Sequence, residues 1–369
     1  MNAQTRLDTA PLTEPVDRAQ VRAFTRELRQ QGKLSSNVAG IIVFAVVGVV
    51  FFFIIGPVFL GVISSVVGRS SLSLVAAAPL LVFAAVIVVI VVGLIRGVGG
   101  AGVRRFRLDR FARANGMTWE PGFAKPQLPG MIFSLGGDRK NSDLLRSTSP
   151  RFIEVANYTY ETGSGKSRQT HHWGYVALKL ETPLPHIVLD AVGNNGLFGS
   201  NLPVTFGRDQ RLSLEGDFDQ HFALYCPEGY ERDALYLFTP DVMARFVDNA
   251  AALDVEIIDD WLFLYAKRDL STLDPATWQW LFTTIDAIDE KFAQWARWRD
   301  DRLAAEVAAS RNAGTAASGA PAPSVPLLTP PPAGVAAQGR RLKRGFPVWT
   351  VVVGVAVVGW WILTTVFGR

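Results

Sequence analysis

Cysteine is nearly absent: the chain of 369 residues has one, Cys226. An intramolecular disulfide is therefore excluded, which fits a reducing compartment. Cys226 has no surroundings of the kind that activate a cysteine nucleophile, so it is read as structural. A large charge excess is missing too. Lysine and arginine number 37 against 33 aspartates and glutamates, a formal net charge of +4, and no nucleic-acid partner is expected. No cleavable signal peptide is expected, because the first apolar run starts late, is long, and lacks a small-residue cleavage region after it. No internal repeat is visible.

The most consequential absence is of charge within three apolar runs: Val38 to Leu60 (or as far as Val67), Leu72 to Ile95, and Phe346 to Phe367. About 20 apolar residues in a helix cross a bilayer core roughly 30 Å thick. Each run reaches that length, so an integral membrane protein is expected. The lack of Asp, Glu, Lys, Arg or His inside the runs argues against a proton or ion relay carried by this chain alone. Basic clusters flank all three runs: Arg18, Arg22, Arg26, Arg29 and Lys33; Arg96, Arg104, Arg105, Arg107, Arg110 and Arg113; and Arg340, Arg341, Lys343 and Arg344. Flanking Lys and Arg favour the cytoplasmic side. The expected topology in the plasma membrane has the N-terminus and the central domain cytoplasmic and the C-terminus outside.

The expected organisation is a basic N-terminal segment (1–37), a transmembrane hairpin (38–95), an α+β domain (96–308), an Ala/Pro-rich linker (309–345) and a C-terminal transmembrane helix (346–369). Val16 to Lys33 reads as an amphipathic helix, with Arg18, Arg22, Arg26, Arg29 and Lys33 on one face and Val21, Phe24 and Leu28 on another. Together with Arg104, Arg105 and Arg107 that face suits anionic lipid headgroups. Gly97 to Gly102 formally spells the G-x-G-x-x-G dinucleotide fingerprint, but the strand that fingerprint requires does not precede it. It reads as a flexible hinge, followed by a helix ending at Gly116.

The central domain reads as a largely antiparallel sheet with flanking helices. RFIEVANYTYET and WGYVALKLET form a hairpin around a Gly/Ser/Lys turn. HIVLDAV, RLSLE, HFALYC, ALYLF, VEIID and WLFLYAK are taken as further strands, with Asp259 and Asp260 at a strand end. Pro240 to Leu253 is a helix with proline at its start. Trp278, Leu281, Ile285, Ile288, Phe292 and Trp295 mark the apolar stripe of a closing helix that packs on the domain itself. A protomer–protomer seam is the other reading, and the expected partners are a protein or a second copy of the chain.

Three places could carry chemistry. GSGKS (Gly163 to Ser167) lacks the first Walker glycine, since Tyr160 stands there, and it joins two strands, so it is a turn. In a strand, Glu215, Asp217, Asp219 and His221 would share one face, where they could hold a divalent cation or act as acid and base. A solvated polar edge is the plainer explanation. GNNGLFGSN (Gly193 to Asn201), with Asn194, Asn195 and Gly196, could contact a ligand and otherwise reads as a mobile surface loop. His171 and His172 point to opposite faces of a strand. No cofactor is expected.

The segments EGDFDQHFALY, ALYLFTPDVMARFV and VEIIDDWLFLYA, set behind a membrane hairpin and a basic helix, resemble a bacterial family of membrane-anchored proteins of unknown function. The resemblance rests on a Phe-x-x-x-Phe pair, Phe218 and Phe222, and a Leu-x-Thr-Pro-x-x-Met segment, Leu237, Thr239, Pro240 and Met243. It covers part of the α+β domain and implies the architecture, with no activity attached. The functional expectation is a non-catalytic, membrane-tethered cytoplasmic binding or scaffold domain. A metal-dependent enzyme built on Glu215 to His221 and a subunit of a transport complex are the alternatives.

Overall fold

A computed structural model describes residues 7–34, 61, 100–195, 200–214, 216–289 and 339–344. The three apolar runs lie outside these residues, apart from Gly61, and no helix among the described residues is long and apolar enough to cross a membrane. The chain divides into two units, residues 10–111 and residues 1–9 with 112–369.

In the first unit, α1 (Arg18–Gln30) is capped by Asp17, whose carboxylate accepts from the Ala19 N–H at 2.9 Å. The sequence stripe holds here: Val21 and Leu28 are buried while Arg18, Arg22, Arg26, Arg29 and Lys33 are exposed. The second helix, α2, is described over residues 100–114 and takes in the end of the glycine-rich stretch expected to be a hinge. Gly100 and Gly102 are helical, and the reason at Gly102 is steric. A Cβ there would lie 3.3 Å from Val21 Cγ1 and 3.5 Å from Thr25 Oγ1, so the missing side chain lets the two helices meet. Phe24 and Phe106 close the contact edge-to-face at 5.5 Å. Arg107, grouped above with the lipid-facing residues, instead donates to the backbone carbonyls of Thr13 and Glu14.

The second unit is an α+β domain around one antiparallel sheet of seven strands. They are β1 (Thr118–Glu120), β2 (Gly137–Ser147), β3 (Ile153–Thr162), β4 (Gln169–Ala191), β5 (Arg211–Leu212), β6 (Phe222–Tyr225) and β7 (Asp254–Ala266). The central strand β4 fuses two segments read separately in the sequence. Its first half pairs with β3, its last residues pair with β6, and β7 follows it along the other edge. The junction is Thr182-Pro183-Leu184-Pro185, where the β4–β7 register shifts. Two prolines that cannot donate to a ladder are tolerated at such an irregularity. On β7 the matching irregularity is Asp259, at φ 54°, so Asp259 and Asp260 stand mid-strand and not at a strand end.

Among the described residues, four α-helices accompany the sheet: α3 (Phe218–His221), α4 (Glu231–Leu237), α5 (Pro240–Ala250) and α6 (described over residues 275–289). ALYLF, expected as a strand, belongs to α4. Ala234, Leu237 and Phe238 are buried while Leu235 is exposed, a helical spacing that β-propensity had masked. The stripe of α6 is buried within the single chain as far as it is described: Trp278, Leu281, Ile285 and Ile288 are at most 3% exposed. Phe292 and Trp295 lie outside the described residues. Asn157 positions the approach to α6 by accepting from Leu270 N and Ser271 N and donating to Ser271 O. Its cross-strand partner is Gly174, where a Cβ would fall 2.4 Å from Arg268 O. Glycine is required there because the 268–271 segment lies directly on the sheet.

The sheet's other face carries an aromatic cluster of Phe133, Tyr158, Tyr160, Trp173, Tyr175, Phe263 and Tyr265, and Leu342 packs into it. Residues 339–344, the end of the stretch read as a linker, are thus part of the domain.

Candidate functional site

Strand pairing brings acids together on the aromatic face. Leu189 is opposite Val255 and Val188 opposite Glu256 in the β4–β7 register, so the next step of the ladder sets Asp190 against Asp254. Both are buried. Directly opposed carboxylates repel at close range, and burial disfavours their charged forms. Burial lifts Asp254 to about 7, with the Asp190 charge adding to the rise and bonds from Ala191 and Asn194 opposing it. Burial also raises Asp190, against the lowering influence of Ser200, Asn195 and Arg211.

The described ends of the loop that follows β4 bond to this pair and beside it. Asp254 Oδ1 accepts from Ala191 N at 2.9 Å and Oδ2 from Asn194 Nδ2 at 2.7 Å. Asn194 Oδ1 in turn accepts from Lys267 N, and Asn195 Oδ1 accepts from Asn201 N. The described ends of the loop, which its composition reads as a mobile surface loop, are bonded down; Gly196 lies outside the described residues. Lys267 packs its ammonium 3.8 Å over the Trp173 ring, and burial lowers its pKa. One atom is left over. Asp190 Oδ1 is buried without a hydrogen-bond partner among the described residues.

A second polar network lies on the same face. Glu256 is 0% exposed and accepts from Met131 N at 2.7 Å, Tyr265 OH at 2.7 Å and His186 Nε2 at 3.0 Å. Leu342 N donates to His186 Nδ1 at 3.0 Å, which assigns the imidazole proton to Nε2. Nearby, Glu154 accepts from Tyr175 OH and twice from Arg146. Burial raises Tyr175 and Tyr265 well above the ordinary tyrosine range, so both remain donors.

The 215–221 cluster takes a different form from the one its sequence suggested. Gly216 turns the backbone at φ 77°, and Phe218–His221 winds into a short helix. The alternation that would place Asp217, Asp219 and His221 on one strand face is lost. Asp219 instead braces the turn, accepting from Ser213 Oγ and from Leu214 N, and Glu215 lies outside the described residues. Phe218 and Phe222 stack at 5.1 Å, a packing role for the pair noted above. Among the described residues, no three His, Cys, Asp or Glu side chains converge as a metal would require. GSGKS forms the turn between β3 and β4, with a capping box between Ser164 and Ser167. Cys226 is buried and its thiol is pushed up to about 11, which keeps it protonated and unreactive.

No family model and no curated protein matches the chain. Among solved structures, the crystal structure of the mycobacterial trehalose monomycolate transport factor A, TtfA, aligns at 10% identity over 50% of this chain and 91% of that one, with a TM-score of 0.35. A likeness that low carries no argument about function, and the family resemblance drawn from the sequence stays a resemblance.

Proposed function

We propose that this chain is a multi-pass membrane protein whose α+β domain is a non-catalytic, cytoplasmic binding module, with its ligand or protein partner met at the Asp190–Asp254 pair. The observation that carries the proposal is Asp190 Oδ1, buried without a hydrogen-bond partner among the described residues although Ser200 and Asn195 bond the same carboxylate, beside the bonded ends of an asparagine loop. A buried acceptor without a donor costs about 1–3 kcal/mol, and a bound partner can supply that donor. Burial raises both acids, Asp254 to about 7, with Arg211 and Lys267 lowering them least, so the pair does not carry its full formal charge. The donor that fits is thus uncharged, a hydroxyl or amide N–H, and not a further cation. The exposed basic face of α1 supports contact with anionic headgroups, each basic side chain adding about 1 kcal/mol near the surface. Against the metal-dependent alternative stands the helical turn that separates the described members of the 215–221 cluster.

The test is a thermal-shift screen of the full chain in detergent. One panel holds hydroxyl- and amide-bearing small molecules and the other divalent cations. A ligand at a hundred times its Kd stabilises by about 2.7 kcal/mol. The expected result is stabilisation by a member of the first panel that disappears in Asp190→Asn. Stabilisation by a divalent cation that is lost in Asp219→Asn and kept in Asp190→Asn would sink the proposal and favour the enzyme.

A further inference from the structure

We infer that the α+β domain is seated directly on the bilayer headgroups through residues 339–344, and is not hung from the last apolar run on the Ala/Pro-rich stretch. The inference rests on the reading above that Phe346 to Phe367 spans the membrane, and it adds which surface of the domain faces the lipid.

Arg341 to Arg344 are joined to the domain at every position. Arg341 makes a two-pronged pair with Asp259 at 3.0 and 2.9 Å. Leu342 is 7% exposed within the aromatic cluster, and its N–H is held by His186. Lys343 N donates to Gln210 Oε1 and Lys343 O accepts from Gln210 Nε2, both at 2.8 Å. Arg344 forms an antiparallel bridge with Phe206. In the sequence only Gly345 separates Arg344 from Phe346. Two extended steps reach about 7 Å, less than a Debye length of roughly 8 Å at physiological salt. The corner of the domain formed by Phe206, Gln210, Glu228 and Asp259 therefore lies at the membrane surface.

Two consequences follow from this attachment. In the sequence the Ala/Pro-rich stretch lies between α6 and Gly339, two places that both belong to the domain, so its length cannot set the distance between domain and bilayer. The surface it returns to presents Arg340, Arg341, Lys343 and Arg344, two of them oriented by Asp259 and Glu228. That composition fits an anionic phospholipid leaflet.

The experiment uses the full chain with Cys226→Ala, reconstituted in vesicles of phosphatidylcholine and phosphatidylglycerol that carry a headgroup energy acceptor. A donor dye is attached at Glu228→Cys, or at Lys166→Cys in the β3–β4 turn. The turn stands roughly 50 Å away along β4 at about 3.3 Å per residue. The expected result is loss of more than half the donor emission at position 228 and little loss at 166. A Gly/Ser insert of about ten residues after Arg344 leaves the contacts of Arg341, Leu342 and Arg344 and the backbone bonds of Lys343 in place and adds roughly 18 Å of reach. It should restore most of the emission at 228. Equal transfer at both positions, or no response to the insert, overturns the seating while leaving the membrane anchor standing. Release of the chain from vesicles by alkaline carbonate overturns both.

Discussion

Glu256→Ala is expected to leave the α+β domain largely unfolded at physiological temperature. The substitution removes one acceptor group and strands three donors at once: Met131 N, Tyr265 OH and His186 Nε2. Each buried orphan costs about 1–3 kcal/mol, so the loss is on the order of 5 kcal/mol, comparable with the whole stability of a marginal domain. The damage extends beyond the hydrogen bonds. Met131 begins the helical turn Met131–Ser134 that covers the aromatic cluster, and His186 holds the segment around Leu342. Glu256→Gln preserves the volume but turns one acceptor into a donor facing donors, and should cost about 1–3 kcal/mol. Glu228→Ala is the matched control. Its pair with Lys343 is on the surface, with side chains 74% and 72% exposed, and such pairs contribute little. Thermal unfolding of the full chain followed by tryptophan fluorescence orders the variants. If Glu256→Ala melted with Glu228→Ala, the network would have no structural role.

The stability of the domain is expected to fall as pH rises from about 4 to about 7, and Asp254 supplies the slope. The folded state holds the Asp254 proton up to about 7, against an ordinary value of 3.8. The folded state therefore binds more protons than the unfolded state throughout that window, and stability must decrease with pH across it. The shift corresponds to about 4 kcal/mol at 1.36 kcal/mol per unit. The stabilisation is fully present below the unfolded pKa and is lost as the folded pKa is passed. Asp190, raised for the same reason of burial, adds to the slope in the same direction. Asp254→Asn cannot ionise, so its melting temperature should vary much less between pH 5 and pH 8. It gives up the bond from Asn194 Nδ2 at a cost of about 1 kcal/mol, independent of pH. A wild-type melting temperature that climbs through this window would contradict the buried acid pair.

What could be read from the sequence was what local chemistry decides. The β3–β4 hairpin was legible because β-branched and aromatic residues flank a Gly/Ser/Lys turn. Pro240 marked the start of α5, and the period of Trp278, Leu281, Ile285 and Ile288 marked the face that α6 buries. The basic face of α1 followed from spacing alone. Local pattern also misled. EGDFDQH alternates like a strand, yet Gly216 and the packing of Phe218 on Phe222 favour a helical turn. ALYLF has strand composition, yet Gly229 at φ 85° and the bond from its N–H to Glu231 set up a helix.

The candidate site was half visible. The Asn194–Asn195 loop stood out by composition, but the acids beneath it did not. Asp190 and Asp254 sit 64 positions apart, and only the β4–β7 register, with its shifts near Pro183 and Asp259, places them opposite each other. The return of residues 339–344 was hidden for a similar reason. A short polar stretch beside an Ala/Pro-rich run carries no local mark of being paired with Phe206, Gln210 and His186.

Membrane topology is the measurement on which the account turns. Glu228→Cys in a Cys226→Ala background places one thiol on an exposed surface of the domain, since the Glu228 side chain is 74% exposed. Intact cells treated with a membrane-impermeant maleimide should leave it unlabelled, and permeabilised cells should label it fully. That pattern is the one predicted for a domain on the cytoplasmic face. Full labelling in intact cells would put the domain outside the membrane and contradict the charge-based topology and the cytoplasmic binding role built on it.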